Sequence, residues 1–219
     1  MTDSEWITAK DDMAMLEAAR LHSSERELRL IAIACCRHLH LKLDDRVAAG
    51  AIDEAIGVAE RYAEGVGTKA SLKRARQSVR AVRHGLPVVV GVASPAWNAL
   101  WLAEVAASEN ACGSVIPEIN RLAGMGLIGV YERPQTCDLI RCVIRPPSQL
   151  NSINRDWCIP EVVSLASSIH EHRSFERMAG LAQALDTAGC DDQSILSHCR
   201  TPVAHVRGCW VLDAVLGRR

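Results

Sequence analysis

GCDDQSILSHCRTPVAHVRGCWVLDAVLG, from Gly189 to Gly217, reads as two helices in close succession. Gly189 closes a preceding helix. Asp191 stands where a cap belongs, because a carboxylate there accepts the free N–H groups of a first turn. A short helix runs to Cys199. Thr201-Pro202 then supplies a cap and a proline at the first helical position, and Gly217 closes the apolar run after it. On one continuous last helix, His205, Cys209 and Asp213 fall at i, i+4 and i+8 and stack along a face. Gly208 inside that helix costs roughly 1 kcal/mol against Ala, which implies close approach of another helix, with the Cys35-Cys36 helix as candidate. Arg207 needs a carboxylate, from Asp191, Asp192 or Asp213.

The same punctuation continues upstream. Ser24-Glu25-Arg26-Glu27 is a capping box that opens a helix to about Leu41, apolar nearly all round and so central. Asp44 or Asp45 caps the next, which Gly65 ends after Glu64. Thr68 caps a third, to Gly85. Ser94-Pro95 starts a fourth with Trp97, Leu100, Trp101 and Val105 inward. Helices are also expected over 115–125, Gln135–Val143 and Pro160–His172, with another capped by Ser174. LPVVVGVA after Gly85 has no partner strand and reads as a buried link. Aromatic residues are 4% of the chain while hydrophobic residues are 48%, so the core is built of Ala, Leu, Val and Ile. The expectation is an all-α, irregular bundle of about ten helices without a sheet. It forms a single domain over 1–219, with a seam at 145–156 that separates 1–144 from 157–219, where Pro146-Pro147 breaks helix.

Net charge is −1, which gives no global pull toward nucleic acid or anionic lipid. The distribution is uneven. Residues 1–67 hold eight basic and thirteen acidic residues, whereas 68–85 hold six basic and none acidic. Lys69, Lys73, Arg76, Arg80 and Arg83 follow i, i+4, i+7, i+11 and i+14, a basic stripe that can track phosphates. Its bland alternative is a solvated face neutralised by the acidic first 67 residues. No aromatics interleave it, so single-strand base stacking is not supported.

Nine cysteines, no apolar leader at the start and no apolar run long enough to cross a bilayer point to free thiols in a reducing cytoplasm, with no membrane partner. The tail offers two chemistries. Zinc needs four ligands in a tetrahedron, which His198, Cys199, His205 and Cys209 can supply, with Cys190 in reserve. Alternatively Cys209 is a nucleophile, His205 its base and Asp213 the orienter. Against both stands plain packing, since free Cys is among the most buried residue types. Cys35, Cys36, His38 and His40 make at most half a metal site and read as core. Nucleotide-binding loops, HExxH, GxSxG and CxxC are absent.

Glu5-Trp6, LRLIAIACCR (Leu28 to Arg37), AIGVAERYAEG (Ala55 to Gly65) and the tail from Ala188 to Gly217 together resemble an uncharacterised family of paralogous helical proteins of planctomycete-type bacteria. The resemblance covers both ends of the chain and implies a shared helical fold, with no activity attached. The chain departs from the family pattern at His38 and His40, where the family carries Arg and Trp. The expected role is a non-enzymatic helical module that binds another protein. The alternatives are nucleic-acid association through 68–85 and a zinc or thiol site in the tail. No cofactor is required beyond that zinc.

Overall fold

A computed structural model describes residues 2–20, 23–40, 46–86, 94–110, 133–146, 153–202 and 205–218. The expected link after Gly85, the 115–125 helix, the Asp44/Asp45 cap and much of 145–156 lie outside these residues, as do the side chains of His38 and His40. The described residues form eleven α-helices and no strand, an all-α multi-helix bundle. They are α1 (Asp3–Thr8), α2 (Asp12–Arg20), α3 (Glu25–His40), α4 (Arg46–Ala63), α5 (Lys69–Gly85), α6 (Pro95–Ala106), α7 (Arg133–Val143), α8 (Pro160–His172), α9 (Met178–Thr187), α10 (Gln193–Arg200) and α11 (Trp210–Leu216). No helix among them is long and apolar enough to cross a membrane.

The chain divides into two compact units, Lys10–Cys137 and Met1–Ala9 with Asp138–Arg219. The division falls inside α7, upstream of the stretch at 145–156.

In the Lys10–Cys137 unit, α3, α4, α5 and α6 pack on one another. Ser24 and Glu27 satisfy each other's backbone donors at the start of α3, at 2.7 and 3.2 Å. Thr68 does the same with Ser71 at the start of α5, and Ser94 accepts from the Trp97 N–H ahead of Pro95. Gly65 ends α4 in the left-handed region at φ +76°, with the Val66 N–H reaching back to the Arg61 carbonyl at 2.9 Å. The core is aliphatic and rich in alanine: Ile31, Ala32, Ile52, Ala55, Ala59, Leu72, Ala99, Leu100 and Ala103 are all essentially inaccessible. Small side chains at helix contacts let the axes approach to the lower end of the usual 8–10 Å. Cys35 and Cys36 belong to this core, as expected, and burial pushes the Cys35 thiol up to about 12. Arg29 is 2% exposed in the same core and donates to the Ala106 and Ser108 carbonyls at the end of α6.

In the other unit, α8 packs on α9 and α11, and α10 on α9 and α11. Val162, Ile169, Leu181, Leu185, Ile195, Leu196, Val211 and Val215 fill its centre. Asp192, one residue after the expected position, is the cap of α10 and accepts from the Ser194 and Ile195 N–H groups. Ser174 makes no side-chain cap; a 3₁₀ turn at Phe175–Arg177 leads into α9 instead.

Arginines from distant positions close helix ends in this unit too. Arg141 of α7 donates to the carbonyls of Trp6 and Ala9 at the end of α1 while paired with Asp138. Arg155 donates to the Ala214 carbonyl near the end of α11, and Arg207 to the His170 carbonyl in the last turn of α8. One partner of Arg207 is thus a helix-end carbonyl. The last carbonyls of a helix lack intrahelical donors and carry the negative end of its dipole, so a guanidinium fork suits them.

Candidate metal centre

The last helix of the tail does not start at Thr201-Pro202 as its sequence suggests. α10 ends at Arg200 and Thr201 is its last capping residue, with extended backbone. His205 and Val206 are not helical, and α11 begins only at Trp210. Between them the Cys209 N–H returns to the Val206 carbonyl at 3.0 Å, with Gly208 at φ +91°. That conformation is open to glycine and strained for other residues, and it cannot occur within an α-helix. Gly208 is therefore a turn residue and not the interior of a helix. His205, Cys209 and Asp213 share no helix face. Cys209 precedes α11, and Asp213 lies within it, buried at 5% exposure.

The turn folds His205 back on Cys209, placing Nδ1 of His205 3.9 Å from the Cys209 sulfur. Two other elements complete the group. α10 presents His198, whose Nε2 lies 3.3 Å from the same sulfur. α7 presents Cys142, whose sulfur lies 3.7 Å from Nδ1 of His205 and accepts the Val206 N–H at 3.4 Å. The four ligand atoms of Cys142, His198, His205 and Cys209 all lie within 4.8 Å of one another, an arrangement that can hold a metal ion. The two imidazoles meet edge to face at 4.9 Å, and Trp210 tilts against His198 at 5.2 Å between centroids.

Of the expected tail ligands, His198, His205 and Cys209 converge; Cys199 does not. Adjacent helix residues point about 100° apart. With His198 directed at the cluster, Cys199 is turned into the apolar core of α9, α10 and α11. Burial raises its thiol. Its place is taken by Cys142, which sequence reasoning missed because it is 63 residues from His205 and on another helix. The one local hint was a cysteine on the inward side of α7.

Electrostatics separate the two sulfurs. Burial, and then the hydrogen bond to Cys209, pushes the Cys142 thiol well up. Burial alone would raise Cys209 as well, but the bonds from Cys142, His198 and His205 and the charge of His198 outweigh it and hold Cys209 well below the ordinary thiol value. These contacts favour the thiolate form of Cys209, the form that ligates a metal.

His198 is the only half-buried member of the four; Cys142, His205 and Cys209 are buried. It also lines a cleft of about 410 Å³, whose walls include Trp6, Ile7, Arg141, Ser197 and Trp210. An ion can reach the cluster from that side. A nucleophilic reading of Cys209 fits poorly, because its side chain is fully enclosed at 0% exposure.

The basic stripe is only partly as expected. Lys69, Lys73, Arg76 and Arg80 are exposed along α5, but Arg83 is buried. Its guanidinium pairs with Glu104 at 2.9 Å and lies over Trp97 and Trp101 at 4.8 and 4.2 Å. Fourteen residues at 100° each fall about 40° short of whole turns, which carries Arg83 off the outer face toward Leu72 and Val79.

No protein-family model, curated protein or solved structure matches the chain.

Proposed function

We propose that the protein is a non-catalytic helical module whose C-terminal unit is held together by a structural zinc ion on Cys142, His198, His205 and Cys209. One observation carries this reading. Zinc binds sulfur at about 2.3 Å and imidazole nitrogen at about 2.0–2.1 Å, so a tetrahedral site separates adjacent N and S ligand atoms by about 3.6 Å. Three of the four N···S separations in the cluster are 3.3, 3.7 and 3.9 Å, and the fourth is within 4.8 Å. Two thiolates and two imidazoles in a tetrahedron select zinc over oxygen-preferring ions. Four protein ligands leave no open position for substrate or activated water, which argues for a structural role. The ion would join α7, α10 and the turn before α11. The Val206 N–H on the Cys142 sulfur serves as the outer support that metal thiolates commonly have.

Metal analysis of purified variants tests the ligand set. Wild-type protein and Cys199→Ser are expected to carry about one equivalent of zinc, and Cys142→Ser less than about a fifth of that under the same conditions. Equal zinc in the two variants, or loss in Cys199→Ser alone, would return the site to the tail residues adjacent in sequence.

A further inference from the structure

The outer face of α5 is not part of the zinc centre, and most of its charges have no counter-ion among the described residues. Lys69, Lys73 and Arg80 are exposed, and among the described residues none has an ion-pair partner; Arg74 flanks them in the same state. Arg76 is half exposed and reaches Glu104 at 3.5 Å. The acids that might have answered the stripe are engaged elsewhere. Glu60 pairs with Arg37 and Glu64 with Arg26, both on α3, and Glu104 is occupied by Arg83. The sequence between Gly65 and Ala103 contains no acidic residue.

What remains is a row of cations at i, i+4, i+7 and i+11, within a sector of about 60° and along about 16 Å of helix. The other exposed residues of α5 are small or polar, among them Ala70, Gln77, Ser78 and Ala81, and no large apolar side chain is exposed on it. That composition does not suit insertion into a lipid surface, which needs an apolar face beside the basic one. Nor does it suit single strands, which need exposed aromatics for stacking. It suits a dense, regular line of phosphates, and a duplex presents one charge per about 1.7 Å of its axis.

We propose that the α5 face, through Lys69, Lys73, Arg76 and Arg80, docks the phosphate backbone of duplex nucleic acid without reading its sequence. Counterion release from three to four phosphate contacts sets the expected behaviour: the logarithm of the binding constant falls with the logarithm of salt concentration at a slope of about −3.

Fluorescence anisotropy of the full-length, zinc-loaded protein with a labelled 24-base-pair DNA duplex of mixed sequence tests this. Binding is expected in the micromolar range at about 50 mM salt, with the slope above. Lys73→Glu/Arg80→Glu should weaken it at least tenfold and Lys73→Gln/Arg80→Gln severalfold, with zinc content unchanged. The charge-matched control Lys10→Glu/Arg177→Glu should change it less than threefold. Absence of duplex binding at 20 mM salt, equal losses in the α5 and control variants, or tighter binding to oligo-dT or to phosphatidylserine vesicles than to duplex would each overturn the proposal. Because α5 lies outside the unit that holds the zinc cluster, failure here leaves the metal reading intact, and loss of zinc would not imitate it.

Discussion

Stripping the metal with excess strong chelator is expected to lower the midpoint of thermal unfolding by roughly 8–16 °C, and Cys142→Ser should start at the lower value and not respond to chelator. The size follows from linkage. A ligand that binds only the folded state at a thousand times its dissociation constant stabilises it by about 4 kcal/mol. In a chain of this length each kcal/mol moves the midpoint by about 2–4 °C. The residual fold should persist, because the unit has an apolar core of its own in Val162, Ile169, Leu181, Leu185, Leu196 and Val211. What is lost is the tie between α7, α10 and the Val206–Cys209 turn. Without metal, Cys142 and Cys209 are enclosed thiols with only imidazole, each other and one backbone N–H as partners. Differential scanning calorimetry with and without chelator measures the difference. A zinc-containing protein that melts at the same temperature after stripping would reduce the ion to a passenger.

Arg29→Ala is expected to cost about 3–5 kcal/mol, the largest single-residue loss in the Lys10–Cys137 unit. Arg29 lies on α3 among the buried Leu28, Leu30, Ile31 and Ala32, yet its guanidinium donates to two carbonyls at the end of α6, at 2.5 and 2.6 Å. It also lies 5.0 Å from the Tyr62 ring centroid and 4.0 Å from Glu25. It therefore joins α3, α4 and α6 at one point. Removing it leaves two α6-end carbonyls without these donors and a hole in a close-packed core. Arg29→Lys should recover less than half of the loss, since an ammonium cannot reproduce a planar fork across two carbonyls. Urea denaturation followed by far-ultraviolet circular dichroism reads both variants. A cost under 1 kcal/mol for Arg29→Ala would mean that water replaces the fork, and that α6 does not depend on it.

Local signals made most of the helices legible. The Ser24–Glu27 box, the Thr68 cap, Ser94-Pro95, and the glycines at 65, 189 and 217 act within a few residues of one another, and all end or start helices where read. A further box of the same kind, Thr2 with Glu5, opens α1 and is equally local. The tail was harder. Thr201-Pro202 looks like a helix start, but the left-handed Gly208 makes the following segment a turn, and only φ distinguishes a glycine buried within a helix from one that ends a chain reversal. The site was half legible for the same reason. His198, His205 and Cys209 are near in sequence and drew attention together, whereas Cys142 arrives through tertiary packing of α7, which no spacing rule encodes. Cys199 is next to His198 in sequence, but helix geometry turns it into the apolar core. The arginines that close helix ends, Arg29, Arg141, Arg155 and Arg207, were invisible in their roles because each donates to carbonyls set by the fold.

The central claim is that two sulfurs and two imidazole nitrogens from three parts of the C-terminal unit surround one zinc ion. X-ray absorption at the zinc edge of the loaded protein examines that shell directly. The expected result is two sulfur scatterers near about 2.3 Å and two nitrogen scatterers near about 2.0 Å, with the outer-shell pattern of imidazole. A shell of oxygen and nitrogen alone, a single sulfur, or protein that takes up no zinc when loaded would contradict it.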